Sequence, residues 1–189
     1  MTEIQMRPRA VIEGPVDTHR YGSVGFRLSD PLAPSACRRA ATELLTTFGL
    51  TWVPELVEDV ETMVTELVTN ACEHGGDAFP AGSLTLWHPN RWLVIAVHDK
   101  NPKTPWQALK KARSGGMSLE AAGYFEGGRG LTIVHGLAQR HCGELSFDRD
   151  YDKACPGKVA TVKMLLPNVQ WRNTFTDPWT GRVIVGNAR

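Results

Sequence analysis

The sequence predicts an α+β protein: a two-layer sandwich with a mixed, mainly antiparallel sheet and its helices on one face. Three observations lead there. The segments follow the order strand, two helices, two strands, glycine-rich stretch, helix, two strands. A long amphipathic pattern fills residues 54–74, and two apolar strand segments flank the turn His88-Pro89-Asn90.

The elements follow in chain order. Residues 1–21 are polar, carry Pro8, Gly14 and Pro15, and form a loose leader. "SVGFRLS" alternates and reads as the first strand. "PSACRRAATELLTTFG" begins with proline and serine and ends with glycine, the boundary signals of a helix over about 34–48. From Pro54, residues Leu56, Val57, Val60, Met63, Val64, Leu67, Val68 and Ala71 recur at helical spacing, so a long helix runs to about His74 and stops at Gly75-Gly76. "SLTLWHPNRWLVIAVHD" is a hairpin whose second strand is apolar enough for the sheet interior. Residues 101–128, with prolines at 102 and 105 and repeated glycines, are irregular apart from a short helical possibility near 118–123. "GRGLTIVHGLAQRH" is a glycine turn opening a helix, and "GELSFDRD" and "KVATVKMLLP" are strands. The chain thus divides into a leader at 1–21, one domain at 22–167 and an appendix at 168–189 around a "DPWTG" turn.

Composition bounds the function. A chain of 189 residues, 42% hydrophobic, supports one domain with a substantial core. Its 21 Lys and Arg against 20 Asp and Glu give no electrostatic case for nucleic acid or an anionic membrane. The start lacks the apolar stretch of a secretion signal, and no segment approaches the roughly 18 apolar residues of a membrane span, so a cytoplasmic protein is expected. Cys37, Cys72, Cys142 and Cys155 are far apart and suit reduced thiols; His141-Cys142 and His74 near Cys72 are weak metal candidates.

Three constellations carry chemistry. In "MVTELVTNACEH", Glu66 and Asn70 lie one turn apart at the margin of the apolar stripe, about 40° apart in projection. Mg²⁺ takes one or two protein oxygens beside phosphate and water, which Asn70 suits, and a carboxylate one turn away can deprotonate a hydroxyl, which Glu66 suits. The alternative is a polar pair at the edge of a core helix. Asp99 ends the apolar strand and could accept from an exocyclic amine such as that of adenine, or simply serve the turn before Asn101-Pro102. Gly127, Gly128 and Gly130 precede a helix, where backbone N–H groups attract phosphate, but neither the dinucleotide fingerprint nor a phosphate-loop motif is present.

Taken in order, E-x-x-x-N on a long helix, Asp at a strand end after a hairpin, and a glycine-rich segment entering G-x-G-L and a helix resemble the Bergerat ATP-binding fold of the histidine-kinase-like ATPase superfamily. That fold is shared by gyrase, a heat-shock chaperone, sensor histidine kinases and mismatch-repair ATPases. Within it, the compact size and "ELVTNACEH" look most like stand-alone anti-sigma factor serine/threonine kinases, over about residues 22–167. The resemblance implies ATP and Mg²⁺ as cofactors, Glu66 as catalytic base, and Asn70 as the metal ligand. It implies nucleotide contacts from Asn70, Asp99, Asn101, Gly128, Arg129, Gly130 and Leu131.

Two departures bear on affinity more than on fold. Where the family usually has Asp-x-Gly, this chain has Asp99-Lys100-Asn101, and asparagine is the next most tolerant residue for a left-handed turn. Where the family has glycine-threonine in the penultimate strand, Gly157 is followed by Lys158 and Val159, with Thr161 expected out of register.

The expected function is therefore an anti-sigma factor that binds a sigma factor and phosphorylates a serine on an anti-anti-sigma protein. Neither direct nucleic-acid nor membrane contact is expected, and a homodimer is possible. The alternative is a catalytically silent nucleotide-binding module acting through protein binding alone. The segment from Asn101 to Gly127 is expected to be a lid that orders over bound phosphates.

Overall fold

The computed structural model describes residues 21–51, 53–75, 81–89, 91–105, 110, 129–150, 157–166, 172–176 and 183–187. Residues 1–20 of the expected leader, 106–109 and 111–128 of the expected lid with its proposed short helix, and Cys155 lie outside these described residues, whereas Tyr21 already belongs to the first strand.

A strand over Tyr21–Arg27 (β1) leads to helices Ala33–Thr47 (α1) and Pro54–His74 (α2), then to the hairpin Ala81–Trp87 (β2) and Trp92–Asp99 (β3). Helix Arg129–Arg140 (α3) precedes strands Glu144–Asp150 (β4) and Gly157–Leu165 (β5). Strands Arg172–Thr176 (β6) and Val183–Asn187 (β7) pair as a separate hairpin. Over the main domain the segment order read from the sequence is the observed one, and β6 and β7 add a hairpin in the appendix that the sequence reading did not assign. Each predicted boundary falls within about two residues, the ordinary scatter of element ends.

The main sheet has the order β1-β2-β3-β5-β4, and all four of its pairings are antiparallel. Because β4 and β3 both pair antiparallel with β5, they run parallel to each other with β5 inserted between them. The crossover through α3 is thus a split β-α-β unit. The helices pack on one face, and α2 touches α1, α3 and β3.

Burial of one stripe explains that layer. On α2, Leu56, Val60, Met63, Val64, Leu67, Val68 and Ala71 are buried, the apolar set that recurs at helical spacing. They meet Leu93, Ile95 and Val97 of β3 and Ala160, Val162 and Met164 of β5, the alternate positions that a pleated strand turns to one face. No described helix is long and apolar enough to cross a membrane.

Two helix ends close by the same device. After α1, Gly49 at φ 71° lets its N–H reach Thr46 O and the N–H of Leu50 reach Leu45 O, while Leu45 and Leu50 are buried. After α3, the N–H groups of Cys142 and Gly143 bond to Gln139 O and Ala138 O in the same pattern. Here the left-handed position is held by Cys142 at φ 50°. A side chain in that conformation clashes with its own backbone, a cost glycine avoids. Cys142→Gly should therefore raise the unfolding free energy by roughly 0.5–1 kcal/mol, read as a higher urea midpoint at unchanged slope.

Candidate functional site

Between the C-terminal half of α2 and the sheet lies a cavity of about 410 Å³. Its walls are mostly apolar: Leu67 and Ala71 of α2, Leu131 of α3, and Val97, Phe147 and Ala160 of the sheet. The size and lining suit a small organic ligand with a flat apolar body. Two buried charged groups, Asp99 and Lys158, line the same cavity, and the exposed Lys103 stands at its edge.

Strand parity puts them there. Asp99 continues the series Leu93, Ile95, Val97 on the core face of β3, and Lys158 continues Met164, Val162, Ala160 on the core face of β5. The antiparallel register sets the two opposite each other. Lys158 Nζ lies 2.9 Å from Asp99 Oδ1 and 2.7 Å from Oδ2, and reaches Asn101 O at 3.4 Å. Asp99 is 4% exposed and Lys158 7%, so each ion relies on the other for the solvation water no longer provides. Burial pushes the Asp99 carboxyl above its ordinary value even though Lys158 and the N–H of Asn101 pull it down.

Asn101 corrects one expectation. Cys142 is the only non-glycine residue at positive φ among the described residues, so Asn101 does not take the left-handed conformation. Its side chain makes the turn in another way. The N–H of Asn101 bonds to Asp99 Oδ1 at 2.8 Å, and Asn101 Oδ1 accepts from the N–H of Lys103 at 3.0 Å, two successive side-chain turns. Asn101 Nδ2 donates to His74 O in the last turn of α2, tying the turn to the helix end. Thr161 stands opposite Ala96, three positions from Asp99's partner and thus out of register as expected; Val159 stands opposite His98.

At the rim, Asn70 lines the cavity and its Nδ2 is buried without a hydrogen-bond partner, as is Thr104 Oγ1 on the facing segment. Such orphaned groups lose about 1–3 kcal/mol each unless a ligand or water completes them. Glu66 is half-buried one turn earlier. It does not line this cavity but a second, more open one of about 330 Å³ beside Arg38, Glu58, Glu61, Thr62 and Thr65. Gly130 joins the two: a Cβ there would overlap Glu66 Oε2 and lie 3.4 Å from Asn70 Nδ2. The first turn of α3 therefore rests on the Glu66 and Asn70 pair. Arg129 begins that turn and is exposed, whereas Leu131 is buried in the cavity wall; Gly128 lies outside the described residues.

The other end of α3 is held by groups the sequence reading missed. Buried Asp59 of α2 accepts from Arg140 Nη1 at 3.0 and 3.1 Å and lies 2.8 Å from His141 Nε2. With Gly130 at one end and this cluster at the other, α3 lies antiparallel on α2 in a fixed register. His141 thus faces Asp59 instead of serving a metal, and among the described residues no group of three or more His, Cys, Asp or Glu could hold one. Cys37, Cys72 and Cys142 are free thiols, and burial raises Cys37 to about 11, which excludes it as a thiolate nucleophile. For Mg²⁺, the residues present fit a sparse protein shell. Asn70 Oδ1 would be its ligand, with phosphate and water oxygens supplying the remainder, while the unpartnered Nδ2 is a donor that would face a phosphate oxygen instead of the ion.

A five-stranded antiparallel sheet with its helices on one face is the architecture of Bergerat-type ATPases. The sequence profile of the histidine kinase-like ATPase domain matches residues 29–155, and the chain belongs to that family. Among solved structures, the chain is similar to the catalytic domain of histidine kinase ThkA (15% identity, TM-score 0.45, 76% of this chain and 97% of that one). It is similar also to the mycobacterial sensor histidine kinase MprB (18%, 0.44, 58% and 71%). A third similar structure is the kinase domain of the E. coli osmosensor EnvZ (20%, 0.40, 64% and 72%). Among curated proteins none matches the chain at a significant level.

Two outcomes follow from this geometry. Lys158→Met removes the cation that holds Asp99 ionised, so the folded-state pKa of Asp99 rises further above the unfolded value. A raised pKa means the stabilising contribution is complete below the unfolded pKa and is lost as pH rises through the folded one. The variant should lose about 3–5 kcal/mol at pH 8 and distinctly less at pH 5, as checked by urea unfolding at both pH values. Gly130→Ala should push Glu66 from its place while costing little stability, since the far end of a flexible side chain can swing away. Unfolding should change by about 1 kcal/mol or less.

Proposed function

We propose that this protein is an ATP- and Mg²⁺-binding regulator that binds a sigma factor and phosphorylates a serine on its anti-anti-sigma antagonist. The observation that carries the reading is the meeting of Glu66, the orphaned amide of Asn70 and Gly130 at the first turn of α3, beside a cavity with Asp99 at its base. Membership in the histidine kinase-like ATPase family supports ATP binding.

Each residue has a task that its position permits. Asp99, at the bottom of the cavity, accepts from the adenine amine, and Val97 and Ala160 lie under the ring. Asn70 holds the metal at the rim, and Mg²⁺ when bound neutralises phosphate charge and aligns the terminal phosphoryl group. The backbone N–H groups at the start of α3 face phosphate oxygens. Glu66, which lines the second cavity and whose Oε2 lies against the first turn of α3, takes the proton from an incoming serine hydroxyl. That placement gives nucleotide and acceptor separate approaches to the same turn of α2.

A second reading, a nucleotide-binding module without transfer chemistry, is favoured by one observation: the Asp99 carboxylate is already engaged by Lys158. Calorimetry and transfer assays separate the two. Asn70→Ala should weaken Mg²⁺-ATP binding at least about tenfold with the fold intact. Glu66→Gln should leave binding nearly unchanged and lower phosphate transfer from γ-labelled ATP to antagonist proteins of the same cell by about 10²–10⁴-fold. Undiminished binding by the Asn70 variant contradicts the assigned site, and absence of transfer by wild type alongside normal binding selects the silent module.

A further inference from the structure

The buried Lys158 has no task in the function above, and it occupies the carboxylate that a base would use. Its hydrogen bonds show what remains open. Asp99 Oδ1 accepts from both Lys158 Nζ and the N–H of Asn101, whereas Oδ2 accepts from Lys158 alone. A carboxylate oxygen has two acceptor positions, so Oδ2 keeps one. The ammonium has three donors, and its contact with Asn101 O at 3.4 Å is the longest it makes. That donor is the one a ligand acceptor displaces most cheaply. The cavity base therefore presents one free acceptor beside one exchangeable donor, on a pair with no net charge.

We propose that Lys158 is a base-reading residue: its Nζ donates to the ring nitrogen N1 of adenine while Asp99 Oδ2 accepts from the adjacent 6-amino group. Adenine carries one N–H donor and one acceptor side by side on that edge, matching what the pair leaves open. Guanine would bring two N–H groups to a carboxylate with one vacancy and leave its 2-amino group buried without a partner. A lone aspartate can read only the amine, so the lysine adds a second point of discrimination. This inference rests on the reading of the cavity as a nucleotide site.

The test compares ATP with 1-deaza-ATP, which keeps the 6-amino group and lacks the N1 acceptor, by calorimetry on the full chain with Mg²⁺. Wild type should bind 1-deaza-ATP at least about tenfold more weakly than ATP, the loss of one hydrogen bond from a charged donor. GTP should bind more weakly than ATP, and Lys158→Met, measured at pH 8 to favour the Asp99 carboxylate, should bind ATP and 1-deaza-ATP alike. Equal affinities in wild type overturn the role of Lys158 and leave the nucleotide site standing. A preference for GTP, or discrimination that persists in the Lys158 variant, overturns it as well. Failure of wild type to bind any of the three removes the nucleotide reading together with the inference. If the variant does not fold, the comparison of the three nucleotides on wild type decides alone.

Discussion

The arrangement depends on one helix having to bury one stripe. Once Leu56, Val60, Met63, Val64, Leu67, Val68 and Ala71 are removed from water against the sheet, the rotation of α2 about its axis is settled. Glu66 and Asn70 then fall at the margin of the stripe, half-buried and close enough to α3 for Gly130 to rest on them. The polar pair is held in place by packing it does not itself supply. Asp59, on the same helix about two turns earlier, fixes the far end of α3 and so the position of the near end.

The pair of Asp99 and Lys158 obeys a different economy. Removing two ions from water costs more than their attraction alone returns, and such pairs often add little to stability relative to apolar residues of the same volume. Its effect is local: a buried carboxylate and ammonium fixed against each other at one place in the cavity wall. Asn101 completes it by steering its N–H onto Asp99 and its side-chain amide onto the end of α2, so the turn, the helix end and the ion pair share one hydrogen-bonded cluster.

Much of this was legible from residues alone, for reasons of periodicity. The stripe on α2, Gly49 after α1, the hairpin around His88-Pro89 and the alternation of β3 each state a local geometry, and the structure has each of them. The cavity residues Asn70, Asp99 and Leu131 also stand together. What stayed hidden depends on pairing between distant segments. Lys158 looked like a departure from a family pattern, yet the parity of Ala160, Val162 and Met164 already assigns it to the core face, where a lysine requires a carboxylate. The Asp59 cluster left a fainter trace, an aspartate on the apolar side of a helical pattern. Asn101 was judged by backbone tolerance, whereas its side chain does the turning.

The split crossover also bears on how the chain reaches this state. Because β5 inserts between β3 and β4, the sheet stays divided until the chain beyond residue 157 docks into a gap bordered by two earlier strands. The contact between Lys158 and Asp99 closes a loop of 59 residues, an entropic step that local helix formation cannot shorten. Asp99 therefore acquires its counter-ion only when the final strand of the main sheet arrives. A nascent or truncated chain lacking β5 has neither the cavity wall at Ala160 nor the cation beside Asp99. A complete cavity is thereby confined to chains that have finished folding.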